Sequence, residues 1–141
     1  MLFNTTYKNE DYQTESKHFV GKAFSFFETI KMGSIGSSRL MIAEFSQKLH
    51  PKNRVASEIN YANIELRPKG IIVHFTNRLE RYAWVIPYYR LVTYNTRTFS
   101  IHAEGHFIKL AKNKMYKNNK KFIDKMIDLK NQSLNLEYYD G

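Results

Sequence analysis

Between Asn63 and Leu110 apolar and polar residues alternate with a period of two, the repeat of a strand that buries one face, and short turn sequences interrupt the alternation. Ile64 and Leu66 alternate with Glu65 and Arg67, and Arg67-Pro68-Lys69-Gly70 then sets Pro second and Gly fourth in a tight turn. Ile71, Val73 and Phe75 share one face of the next strand, and Thr76-Asn77-Arg78 turns the chain again. Tyr82, Trp84, Ile86 and Tyr88 alternate on a third run. Its Pro87 has no N–H to give a neighbour and belongs at a strand end, an edge or a bulge. Leu91 to Tyr94, Phe99 to Ala103 and Phe107 to Leu110 follow, separated by Asn95-Thr96-Arg97 and Glu104-Gly105. Strands this short, joined by turns this tight, pair with their sequence neighbours. The expected fold class is therefore α+β, around an antiparallel meander or partly closed barrel of about six to seven strands over residues 55–110.

The flanks carry the helical period. Residues 1–15 are polar with scattered Tyr and read as a loose arm. From Ser16, the residues Phe19, Val20, Ala23, Phe24, Phe27 and Ile30 recur at helical spacing, with Thr14 or Ser16 as the cap, although the β-rich FSFFETI run also fits a strand. Met32 to Ser37 is a Gly-punctuated break. Beyond it Ser37 or Ser38 caps an expected second helix through Leu40, Met41, Ile42, Phe45 and Leu49, ended by His50-Pro51. Residues 16–50 thus read as an N-terminal helical segment. Residues 112–132 read as an amphipathic helix that caps the sheet, with Met115, Phe122, Met126 and Leu129 on its apolar stripe. One domain over residues 1–141 accommodates all of these elements.

The stretch from Ile64 to Leu129 resembles the bacterial pleckstrin-homology-like (PH-like) family. The resemblance rests on the hairpin IELRPKGIIVHF, the segment WVIPYYRLVTY, the strand pair TFSIHAEGHFIKL with its Gly turn, and the closing amphipathic helix. The minimal fold of that family has seven strands and no counterpart of the N-terminal helical segment. The resemblance implies a non-enzymatic binding or scaffold domain whose partner is a protein or a second copy of the chain, with no cofactor.

Composition narrows the chemistry. With no cysteine, disulfides, zinc ribbons, thiol catalysis and iron–sulfur ligation are excluded. The first residues have no apolar core like that of a signal peptide, and no apolar run approaches the ~20 residues of a membrane helix, so a cytoplasmic protein is expected. The net charge of +9 keeps a second function open, that of a basic nucleic-acid-binding protein. Arg67, Lys69, Lys112, Lys114, Lys117, Lys120 and Lys121 are its candidate polyanion contacts, and Tyr88, Tyr89 and Tyr94 its candidate stacking platforms. A membrane-surface role fits less well, because the apolar stripe of the last helix is needed by the core. Among metal-ligating residue types, His102, Glu104 and His106 recur at intervals of two, with His74 as a fourth. The Gly33–Ser38 run resembles a phosphate-cradling loop but lacks the Lys-Ser/Thr ending of a P-loop. No catalytic constellation stands out.

Overall fold

The computed structural model describes residues 1–46, 60–77 and 80–140. Eight antiparallel strands form one sheet: β1 Leu2–Asn4, β2 Leu40–Phe45, β3 Asn60–Arg67, β4 Gly70–Asn77, β5 Glu80–Pro87, β6 Val92–Asn95, β7 Thr98–Ala103 and β8 His106–Ala111. Their order is β1-β5-β4-β3-β2-β8-β7-β6, so the sheet is open and ends in β1 on one side and β6 on the other. Four helices accompany it: α1 Glu10–Val20, α2 Phe26–Met32, α3 Lys114–Asn118 and α4 Lys120–Asp140.

The alternation read in the sequence becomes the inner face of this sheet. Ile64, Leu66, Ile71, Val73, Phe75, Trp84, Ile86, Phe99, Ile101, Ile108 and Leu110 are all buried there. The register stacks them strand on strand, with Ile64 opposite Val73 and Val73 opposite Trp84. The sheet curls until its two halves face each other, and the Trp84 ring on β5 meets His106 on β8 edge-on at 6.5 Å. A register shift between Ile42 and Glu44 lets β2 serve both halves, since a bulge sharpens the local twist. Tyr116, Phe122, Ile123 and Met126 from α3 and α4 fill the space enclosed.

A second, smaller core lies on the opposite side of β4 and β5. Val20 of α1 packs there with Ile72, Ala83 and Val85, assisted by Phe3, Tyr12 and Phe19. These strands are buried on both faces, which is why Ile71-Ile72-Val73 and Ala83-Trp84-Val85-Ile86 are unbroken apolar runs. Three of the four expected turns fall between strands, at Pro68-Lys69, Thr96-Arg97 and Glu104-Gly105, whereas Thr76 and Asn77 of the expected Thr76-Asn77-Arg78 turn end β4, opposite Arg81 and Glu80. Glu104 and Gly105 both take positive φ, +54° and +82°, the primed two-residue turn whose twist matches that of a hairpin.

The N-terminal third departs from expectation. Residues 1–15 are no loose arm: β1 pairs with β5, and α1 starts at Glu10 under an Asn9 cap, not at Thr14 or Ser16. The helical run from Ser16 to Ile30 is two helices. Gly21, at φ +86°, ends the first, and Ser25 opens the second with a full capping box. The expected helix after Ser37 is strand β2. Leu40, Met41, Ile42 and Phe45 fit either period, and pairing with both β3 and β8 decides in favour of a strand. Ser37 caps no helix, and its Oγ accepts the Ile64 N–H at 2.8 Å. Leu49, His50-Pro51, Arg78 and the first residues of the expected 55–110 meander, 55–59, lie outside the described residues. The closing helix breaks at Asn119, whose Oδ1 accepts the Ser38 N–H at 2.9 Å, and then runs on to Asp140.

Glu65 ties the outer face of β3 together. It accepts Arg67 Nε–H at 2.5 Å and pairs with His74 Nε2 at 2.9 Å. Burial pushes its carboxyl pKa up, but the hydrogen bonds and charges of His74 and Arg67 outweigh that and hold it below the ordinary carboxylate value. A carboxylate whose pKa is depressed by folding adds stability above its unfolded value, and that stability disappears as pH falls through the folded one. Melting temperature is thus expected to fall on acidification below about pH 4.5, and more shallowly in Glu65→Gln; thermal melts across pH 3–6 with equal slopes for both proteins would refute this.

Candidate functional site

The residues singled out in the sequence do not form one site. Arg67 is buried: beyond its pairing with Glu65, its Nη1 donates to Gly21 O at 2.8 Å just past the end of α1, where a cation complements the helix dipole. It fixes α1 and is withheld from any polyanion. Lys69 lies on the β3–β4 turn with its side chain exposed, while its backbone N–H bonds Val20 O at 2.9 Å. Lys112 Nζ donates to Asn95 Oδ1 and Thr96 O and so braces the β6–β7 turn. Lys120 pairs with Asp124 at 2.6 Å, and Lys114, Lys117 and Lys121 are exposed on α3 and α4. Tyr88 is no stacking platform, because it is buried and its hydroxyl donates to Arg67 O at 3.2 Å. Tyr89 and Tyr94 remain exposed.

The histidine set is divided by the turn between its members. In a hairpin closed by two residues, Ala103 pairs with His106 and His102 with Phe107, so His102 and His106 point to opposite faces. An even spacing along the chain places residues on one face only while the strand is unbroken. His102 lies on the outer face against Tyr94 and Phe107, and burial, with Lys109 nearby, lowers its pKa. Glu104 accepts from Arg90, and His106 packs on Trp84. Among the described residues, no group of three or more His, Cys, Asp or Glu is placed to hold a metal ion. The Gly33–Ser38 run opens no helix N-terminus. Gly33 closes α2, Lys125 Nζ donates to Met32 O at 2.6 Å, and Leu66 N–H bonds Ile35 O at 2.7 Å.

Two surfaces that the sequence pattern left unmarked stand out. The first is α2. A helix of seven residues has little stability of its own. This one is held by the Ser25–Glu28 capping box at one end and Lys125 at the other, and it buries none of its residues. Phe26, Phe27 and Ile30 are 74%, 81% and 64% exposed. Phe27 and Ile30, two of the apolar positions that recur at helical spacing in the sequence, project from α2 into solvent.

The second is a groove of about 420 Å³ on the outer face of β2–β5, lined by Arg39, Tyr61, Asn63, His74, Thr76 and Arg81, with Thr5 beside them. The pairing of Asn63 with His74 and of Thr76 with Arg81 sets these side chains on one face. The Arg39 guanidinium lies over the Tyr61 ring at 4.1 Å. None of the described lining residues is acidic. Tyr61, Asn63 and Glu65 are the polar half of the β3 alternation, so the pattern did show that this face looks outward. Its gathering of two arginines required the strand order.

No helix among the described residues is long and apolar enough to cross a membrane. No protein-family model, curated protein or solved structure matches the chain.

Proposed function

We propose that the chain is a non-enzymatic binding domain of PH-like architecture that associates with a second copy of itself through α2. The architecture is supported by the seven strands β2–β8 wrapped around a C-terminal helix, with β1, α1 and α2 added in front. The self-association rests on one observation, the apolar face of Phe26, Phe27 and Ile30 on a helix that is capped at both ends and buries none of its residues. Contiguous exposed apolar side chains mark interaction surfaces. With a net charge of +9, two copies repel, and a locally balanced patch such as α2, with Glu28 and Lys31, is where that repulsion is least. A two-fold pairing would lay the Phe26–Phe27 pair of each copy on Ile30 of the other.

Sedimentation equilibrium from ~10 μM to ~1 mM tests this. A monomer–dimer equilibrium of moderate affinity is expected for a patch this small. Phe26→Ser/Phe27→Ser should shift dissociation at least tenfold without lowering the melting temperature. A chain that stays monomeric at ~1 mM, or a variant that dimerises as well as the parent, would overturn the proposal.

A further inference from the structure

The groove on the outer face of β2–β5 is independent of α2, and we infer that it binds a nucleotide unit, presented either by single-stranded nucleic acid or by a free nucleotide. Two features carry the inference together. One is charge: Arg39 and Arg81 line the groove, and neither has a carboxylate partner among the described residues. The nearby carboxylates are committed elsewhere. Glu65 is held by Arg67 and His74, and Glu80 accepts the Tyr82 hydroxyl. The other feature is flatness. The Arg39 guanidinium carbon lies 4.1 Å from the centre of the Tyr61 ring, a contact that restrains a planar group at the groove wall. A base stacks on such a plane, while guanidinium N–H groups take the phosphate oxygens in pairs.

The remaining lining suits the same ligand. Thr5, Thr76 and Asn63 offer hydroxyl and amide groups to a sugar or a base edge, and the Asn63 amide is oriented by a 3.2 Å hydrogen bond to Ser37 O. At about 420 Å³ the groove falls within the ~300–1,000 Å³ of small-ligand sites. Its walls are side chains of neighbouring strands, and sheet faces of this kind hold single strands by stacking plus charge. An acidic peptide would satisfy the arginines but not the stacked plane, so a nucleotide is the better match.

The test uses the full chain, with fluorescence anisotropy of a labelled ten-residue oligo-dT and of labelled ATP in ~50 mM salt, and anionic phosphatidylserine vesicles as a third arm. Micromolar binding in at least one nucleotide arm is expected; tighter binding of the oligomer than of ATP identifies a strand, and equal binding identifies a free nucleotide. Arg39→Ala and Arg81→Ala should each weaken binding about tenfold. For the oligomer, each should also flatten the dependence of log affinity on log salt by about 0.7. Tyr61→Ala should weaken binding roughly 5- to 100-fold. Tyr61→Phe, which keeps the ring, should restore it and also guards against a folding defect. Lys114→Ala/Lys117→Ala should leave binding within twofold. The inference falls if neither nucleotide binds, if the arginine variants bind like the parent, or if only the vesicles bind.

Discussion

Replacing Trp84 with alanine is expected to cost about 3–5 kcal/mol of folding stability. Trp84 is the only tryptophan, is 1% exposed, and lies among the largest fully buried side chains. Its backbone partners are Val73 on β4 and Leu2 on β1, and its ring reaches His106 across the core. The side chain therefore spans the gap between the halves of the sheet, and truncation opens a cavity in the middle of the packing instead of at its margin. Rigid strands on both sides cannot close such a cavity, so the cost should sit in the upper part of the usual range. A domain of this size has only about 5–15 kcal/mol in all. Urea unfolding followed by circular dichroism is the suitable measurement, because the variant loses its indole fluorophore. A loss under ~1 kcal/mol would show that the core is not organised around this residue.

The second large effect is at Gly70, where the constraint is lack of room and not backbone conformation. A Cβ at this position would lie 2.3 Å from Ile86 O, 2.5 Å from Val20 Cγ1 and 2.8 Å from Pro87 Cα. Two of these three atoms are backbone of the paired strand, whose register matches Gly70 with Pro87. The third belongs to the side chain that seats α1 in the smaller core. Gly70→Ala must therefore spread β4 from β5 and also displace the Val20 side chain, and overpacking of this kind costs at least about 1–3 kcal/mol. Amide exchange is expected to quicken at the β4–β5 pairing around Gly70, Ile86 and Pro87 as well as at the end of α1. Gly36→Ala is the control, since nothing lies within 4 Å of the added carbon. Equal stability of the two variants would refute the argument.

The sheet was legible where local rules and tertiary structure agree. From Ile64 to Leu110 the residues of the inner face recur at every second position, even where β4 and β5 are apolar on both faces, and most described turns carry their own chemistry, so the pattern needed no partner to be read. Legibility failed where the apolar spacing was compatible with two periods. Leu40-Met41-Ile42 and Phe45 satisfy a helix as well as a strand, and only the vacant edges of β3 and β8 select the strand. Phe27 and Ile30 were read as part of an apolar helical stripe, and hydrophobic spacing cannot tell a core position from a docking position. The groove was hidden for another reason: Tyr61, His74 and Arg81 come from three strands and Arg39 from the residue just before β2, and their meeting depends on strand order, which periodicity does not encode.

The central place of β2 governs how the chain must assemble. Phe45 pairs with Ile108, 63 positions later (108 minus 45), while the other edge of β2 pairs with β3. As the chain leaves the ribosome, β2 to β5 can assemble early, but one edge of β2 stays unpaired until β8 has been made. The inner face of the strands stays wet until α4 has followed. Loop closure over such a span is slow, and an unpaired edge beside an uncovered apolar face invites association with other nascent chains. Synthesis of the final helix is thus the step that ends this exposure, and a chain stalled before Lys114 would hold a nearly complete sheet with nothing to fill it.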